Sequence, residues 1–284
     1  MRLLLLTTAA LIGFSANSLL TRAALQAGRL DALTFVGVRL VSGAVMLWLI
    51  MRWRQRAAVQ EDGGQKSAVA LFAYAILFTI AYILIGAGVG ALILFGAVQV
   101  TMISAGLIFG EQPRATDWLG AACALAGLLV LTIPGATAPN PLGAAMMAGA
   151  GCAWGIYSLH GRSSRDPLGA TAGNFRRAAI PGAALSLGGA FAQYAHVTTS
   201  GLLLAMASGA LASGVGYTLW YAALPALTRM RAAVLQLTVP VITAFAAAAL
   251  LGEAISARLA GSAALIAVGV WLTVRSKGRI TMKP

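Results

Sequence analysis

The chain has 284 residues with 20 basic and 7 acidic side chains, 60% hydrophobic residues and a mean hydropathy of +0.86. Charged residues make up 10% of it against roughly 25% in a soluble globular chain, too few to cover one or two soluble domains. A soluble enzyme is excluded on that ground. At about 20 residues per membrane-spanning helix, the length holds about ten helices and no separate soluble domain.

Apolar runs bounded by charge, Gly or Pro predict spans at 3–25, 33–51, 67–85, 88–109, 118–134, 142–160, 178–195, 201–222, 232–251 and 257–274. The first run follows Arg2 in the manner of a signal peptide. It is read as a retained helix because 145–165 takes the matching place in an internal repeat. The third and fourth spans are parted only by Gly86-Ala87-Gly88-Val89-Gly90; the split rests on length, since one helix through both would be about twice the hydrocarbon thickness. Cys123 and Cys152 lie within apolar runs and suggest neither a metal site nor a disulfide framework.

A net charge of +13 would point to nucleic acid in a soluble chain; in a membrane protein the position of the bases decides its meaning. With the N-terminus inside, the inner segments carry Arg2, Arg52, Arg54, Arg56, Lys66, Arg114, Arg162, Arg165, Arg229, Arg231, Arg275, Lys277, Arg279 and Lys283. The outer loops carry Arg22, Arg29 and Arg258, while Arg39, Arg176 and Arg177 fall in or beside spans. This asymmetry is the positive-inside pattern and places both termini in the cytoplasm.

A self-shift of 142 residues aligns Gly110-Glu111 with Gly252-Glu253, and with weaker matches such as Gly13 with Gly155 and Ala121-Ala122 with Ala263-Ala264. Each half then holds five spans, an odd number, so the second half inserts with opposite orientation. The expectation is an all-α integral membrane protein of ten transmembrane helices in two inverted five-helix repeats, 1–141 and 142–284. Secondary transporters commonly follow that plan, with the substrate near the midplane between the halves.

The stretches Gly13-Phe14-Ser15-Ala16-Asn17 with Arg22 downstream, Phe35-Val36-Gly37-Val38-Arg39, Arg231-Ala232-Ala233-Val234-Leu235-Gln236-Leu237-Thr238-Val239-Pro240 and Leu251-Gly252-Glu253 resemble the drug/metabolite transporter superfamily, specifically its ten-helix EamA-like exporters. The resemblance covers nearly the whole chain. It departs at Val98, where the repeat would place a counterpart of Pro240. It implies an exporter of small metabolites in a bacterial cytoplasmic (inner) membrane, with the amino-acid exporters the nearest subfamily. A monomer or weak homo-oligomer in contact with membrane lipid, with no cofactor and no nucleic-acid partner, goes with that reading.

Several side chains are placed to line a path. Tyr74, Phe78 and Tyr82 repeat every fourth residue on the third span, and Ser213, Tyr217 and Tyr221, with Trp220 beside them, do so on the eighth. Such stripes form either an aromatic cavity or an interfacial belt and helix packing; Tyr82 and Tyr221 lie near span ends, where a belt sits. Gln236, Pro240 and Thr243 share a face of the ninth span, and Gln99 lies mid-way along the fourth. The amides either face a cavity or tie helices together, and Pro240 marks a helix kink. Asn17 with Ser18, and Trp154 with Tyr157, are further candidates.

Arg39 either snorkels to the outer headgroups or faces the cavity and pairs with a substrate carboxylate. Glu111 and Glu253 precede spans and suit caps on the helices that follow them. Gly86-x-x-x-Gly90 and Gly151-x-x-x-Gly155 permit close helix approach. No span carries an acid at its middle, so no proton relay is visible, and no Gly-Lys-Thr phosphate loop is present for ATP hydrolysis. The reading is a secondary transporter of small organic metabolites, most of all neutral or aromatic amino acids. Other small metabolites or drug-like cations are the alternative substrates, and an integral membrane enzyme acting on a lipid-linked substrate is the alternative class.

Overall fold

The computed structural model describes residues 1–25, 28–54, 63–85, 87–133, 139–192, 195–251, 256–276 and 279–280. Gly86, Gly252 and Glu253, and the bases Arg56, Lys277 and Lys283, lie outside the described residues. The described residues form ten long helices: α1 (Arg2–Leu25), α2 (Ala32–Trp53), α3 (Gln65–Ile85), α4 (Ala87–Ile108), α5 (Ala115–Thr132), α6 (Pro141–Gly161), α7 (Pro167–Phe191), α8 (Thr199–Ala226), α9 (Arg229–Leu250) and α10 (Ala257–Arg275). The fold is an all-α integral membrane architecture. A two-residue strand β1 (Glu111–Gln112) pairs antiparallel with β2 (Arg279–Ile280).

Local chemistry explains many of the helix starts. Side chains of Asp31, Asn140, Thr198, Thr228 and Ser256 accept hydrogen bonds from the first-turn amides of α2, α6, α8, α9 and α10, satisfying donors that have no partner within a helix. Pro141 and Pro167 open α6 and α7, where a missing N–H costs nothing.

Nine of the ten helices are long and apolar enough to cross a membrane; α7 is the exception. It carries Asn174, Arg176, Arg177 and the internal Pro181. It also begins at Pro167, not at 178, because the arginine pair does not end the helix. Asn174 and Phe175, just before the pair, are buried in the protein. The remaining boundaries fall within a few residues of those expected.

Helix packing has a two-fold pattern. The most extensive contacts are α1 with α8, α5 with α10, α2 with α7, and α3 with α6, followed by α2 with α8 and α4 with α6. Contacts of α1 with α8 and α9 mirror those of α6 with α3 and α4, and α2 meets α8 as α7 meets α3. Exchanging the first five helices for the last five carries this pattern onto itself. Close approach within it depends on small residues. A Cβ on Gly151 would meet the Leu94 carbonyl of α4, and one on Gly155 would meet Thr101, so this small-x-x-x-small pair sets the α4–α6 distance. Cys123 and Cys152 are free thiols, the first half-buried and the second exposed.

α8 is not uniform. It is α-helical over Thr199–Ala207 and Gly216–Ala223, and a π-helix over Ser208–Val215 lies between them. The π segment, Ser-Gly-Ala-Leu-Ala-Ser-Gly-Val, packs on α1 and α2. Gly209 sits so close to α2 that a Cβ there would overlap the Arg39 carbonyl. π-turns of this kind occur mostly as local features at functional sites.

Candidate substrate cavity

A cavity of about 220 Å³ opens on the face opposite the two termini. Its mouth is formed by Arg22 at the end of α1, Tyr82 near the end of α3, Gly88 at the start of α4 and Thr132 at the end of α5. Phe78, Leu94, Phe95, Met147, Val239 and Pro240 line its wall. A narrow extension continues inward past Phe14, Asn17 and Ser18 and ends at Tyr74, Trp154, Tyr217 and Gln236.

The inner end is an aromatic cluster held by hydrogen bonds. Phe14 meets Trp154, Tyr217 and Trp220 edge-on at centroid distances of 5.1, 5.6 and 5.5 Å. Trp154 and Tyr217 are 4.6 Å apart, and Tyr74 lies 5.0 Å from Trp154. The Trp154 indole donates to Gln236 Oε1 at 2.5 Å, and Gln236 Nε2 donates back to its own helix at Ala232 O. Asn17 Oδ1 accepts from Ser208 Oγ at 2.7 Å, joining α1 to the π segment.

Arg39 is 1% exposed, so it does not snorkel. Its Nε donates to Ser213 Oγ at 3.0 Å and its Nη2 to Tyr217 Oη at 2.6 Å, while the guanidinium lies 5.4 Å from the Tyr74 ring centroid. Nη1 has no hydrogen-bond partner among the described residues. Arg39 therefore stands behind the cavity floor, in contact with two of the side chains that form it. A charge near the bilayer centre costs about 2.5–3.5 kcal/mol on insertion scales, and two hydroxyl acceptors and an aromatic face offset part of that.

The other expected residues divide by position. Asn17, Phe78, Tyr82, Trp154, Tyr217, Gln236 and Pro240 line the cavity or its extension. Gln99, Tyr157, Trp220 and Tyr221 are buried in the packing around it. Gln99 Nε2 donates to Ala233 O on α9 at 2.7 Å, Trp220 Nε1 to Ser158 Oγ at 3.1 Å, and Tyr221 Oη to Tyr157 O at 3.0 Å. Both belt candidates, Tyr82 and Tyr221, are buried. Phe14, Phe95 and Met147 were not singled out by pattern. Phe14 precedes Asn17 by three residues and Phe95 precedes Gln99 by four, so the i, i+3 and i, i+4 spacing from polar residues already chosen was their signal.

Toward the termini, contacts among the described residues tie the helices together. Gly110 adopts φ +81° and turns the chain after α4. The Glu111 carboxylate then accepts from the Arg229 backbone amide at 2.9 and 3.1 Å and from Arg229 Nη1 at 3.1 Å. It thus caps α9, not the following helix α5, whose N-terminal amide at Arg114 is taken by Asp117 Oδ2 at 2.8 Å. The favourable interaction with a helix N-terminus is the expected one; the turn delivers it to a helix of the other half.

Arg162 Nη1 donates to the Leu224 and Leu227 carbonyls, and Arg231 Nη2 to Ser276 O. Burial first, then Arg229, lowers the Arg162 pKa, with Glu111 acting against them. Arg162 remains a cation at neutral pH all the same.

Residues 141–275 match the EamA-like transporter family. An uncharacterized protein of Pseudomonas aeruginosa is 48% identical over 271 residues, covering 95% of this chain and 94% of its own length. The second half of the chain is thus an EamA-like transporter domain. A crystal structure of a protein 18% identical in sequence covers 95% of this chain and 96% of its own, with a TM-score of 0.77; at that identity the likeness concerns the fold. The family match points to a multi-pass membrane transporter of small molecules.

Proposed function

We propose that this EamA-like protein is a secondary transporter that moves small organic metabolites by alternating access, with the aromatic cavity as its substrate site. The observation that carries the reading is a cavity that, among the described residues, runs inward from one face to an aromatic floor. It enters from the face opposite the termini, stops at Tyr74, Trp154, Tyr217 and Gln236, and is separated from the termini face by the Glu111–Arg229 contact and the Arg162 hydrogen bonds. Residues 1–141 and 142–284 are the two inverted repeats that would rock against each other, and the exchangeable packing pattern supports that division. The distribution of bases supports cytoplasmic termini in a bacterial inner membrane, which makes this an outward-open conformation.

Neutral or aromatic amino acids, exported from the cytoplasm, are the substrates this reading favours. Aromatic walls suit an apolar side chain by stacking and dispersion. The volume lies below the roughly 300–1,000 Å³ of drug-sized sites, which favours single-ring solutes over larger drug-like ones. The protein would act as a monomer or weak homo-oligomer.

Purified protein in liposomes preloaded with labelled amino acids should show saturable flux that unlabelled solute competes away. Linear flux without saturation would indicate a channel. Absence of flux across a broad metabolite panel would overturn the transport reading.

A further inference from the structure

The end of the cavity has a charge character that the aromatic lining alone does not explain. Arg39 is a buried cation, and the titratable groups that act on it are Tyr217 and Tyr74. No carboxylate reaches it among the described residues, and one of its terminal nitrogens has no partner. A buried charge without a counter-ion is costly unless something else supplies the opposite charge. Around the cavity and its extension, the described lining residues include Arg22 but neither Asp nor Glu. The site therefore offers positive potential and no acid to receive a positively charged group.

We propose that the floor of the cavity is an anion subsite, in which Tyr217, backed by Arg39, receives the carboxylate of a single-ring organic anion. This rests on the transport reading above and narrows its substrate class: a carboxylate is recognised and an ammonium is not. Arg39 Nη2 donates to the Tyr217 hydroxyl at 2.6 Å. A hydroxyl that accepts from a cation is polarised and becomes a stronger donor to the next acceptor, so Tyr217 passes the influence of Arg39 to a group inside the cavity. Arg39 is then a positioning and charge-setting residue, and Tyr217 the group in contact. The aromatic faces of Tyr74, Phe78 and Trp154 hold the ring of the solute. Electrostatics of this kind separate ligands by charge more than by shape.

The test uses four solutes with one skeleton: 3-phenylpropionate, phenylalanine, 3-phenylpropanamide and 2-phenylethylamine. Binding to the purified full-length protein in detergent is measured by displacement of labelled 3-phenylpropionate, with flux in liposomes measured in parallel. The carboxylate should bind most tightly, the zwitterion less so, and the neutral amide and the amine each at least about 10-fold more weakly, the scale of one charged hydrogen bond.

Arg39→Gln should weaken the carboxylate by about 10- to 100-fold while leaving the amide unchanged. Tyr217→Phe, which removes the contacting hydroxyl, should weaken the carboxylate most and the amide, whose carbonyl also accepts from it, by less; Arg39→Lys should keep most of the preference. A merely structural Arg39 would weaken carboxylate and amide together, and that result overturns the proposal. Equal or tighter binding of the amine overturns it in the wild-type protein without any variant. If none of the four binds while another solute shows saturable flux, the anion subsite is wrong and the transporter stands. If no solute of a broad panel moves or binds, both fail.

Discussion

Pro240 has no backbone N–H, and α9 breaks three residues before it: the Leu237 amide donates to Val234 O at 3.0 Å instead of to Ala233 O. The Ala233 carbonyl, left without its helical donor, accepts from Gln99 Nε2 at 2.7 Å. One side chain of the first half thus takes up a carbonyl that the break at Leu237 leaves free, while Pro240 itself withholds a donor from Gln236 O. Gln99→Leu should lower stability by about 1 kcal/mol, since the freed carbonyl is partly offset by removal of Gln99 Oε1, which has no partner of its own. In a double-mutant cycle with Pro240→Ala, which restores a donor to Gln236 O and relaxes the kink, the cost of Gln99→Leu should shrink if the break at Leu237 closes with it. Thermal unfolding in detergent measures both, and strict additivity would separate the two residues.

At the scale of elements, α4 and α9 meet across the two halves and differ in a way that suits opposite ends of a gate. α4 runs without a break through Val98, whereas α9 bends next to Gln236. The inner closure depends on a short turn: Gly110 and Glu111 carry a carboxylate from the end of α4 to the N-terminus of α9. Removing it should release α9 on the termini side.

In a background of Cys123→Ala and Cys152→Ala, a reporter at Leu227→Cys, buried in the intact protein, should react several-fold faster with a polar maleimide once Glu111→Ala is added. An unchanged rate would make Glu111 a static cap. The π segment of α8 has a different task. Its wider turn presents Ser208 to Asn17 and Ser213 to Arg39 while Gly209 lies against α2, so it organises the floor of the cavity.

For the whole molecule, the cavity mouth and the contacts on the termini face give two positions on opposite ends of the bundle, against which the proposed orientation can be tested. Thr132 lines the mouth and Leu227 lies beneath the inner contacts. With single reporters at Thr132→Cys and Leu227→Cys, an impermeant maleimide added to intact cells should label the first and spare the second. The reverse result would invert the topology assigned from the charge asymmetry.

Helix number was legible in the residues, because lipid forces every span to be a long apolar helix. α7 shows the limit of that signal. Arg176 and Arg177 interrupt its apolar run, and only burial of Asn174 and Phe175 against neighbours keeps one helix through them.

Side-chain periodicity identified much of the cavity as well, including Phe78, Tyr217, Gln236 and Pro240, since one helix face points one way. It could not separate lining residues from those packed behind them, so Tyr221 shared a stripe with Tyr217, and Tyr157 a helix with Trp154, without sharing their exposure to the cavity. Nor could it assign partners. That Arg39 bonds Tyr217 across 178 positions, and Glu111 caps a helix 118 positions away, depends on which helices pack together. Spacing along one helix says which residues share a face; only the assembled bundle decides what that face meets.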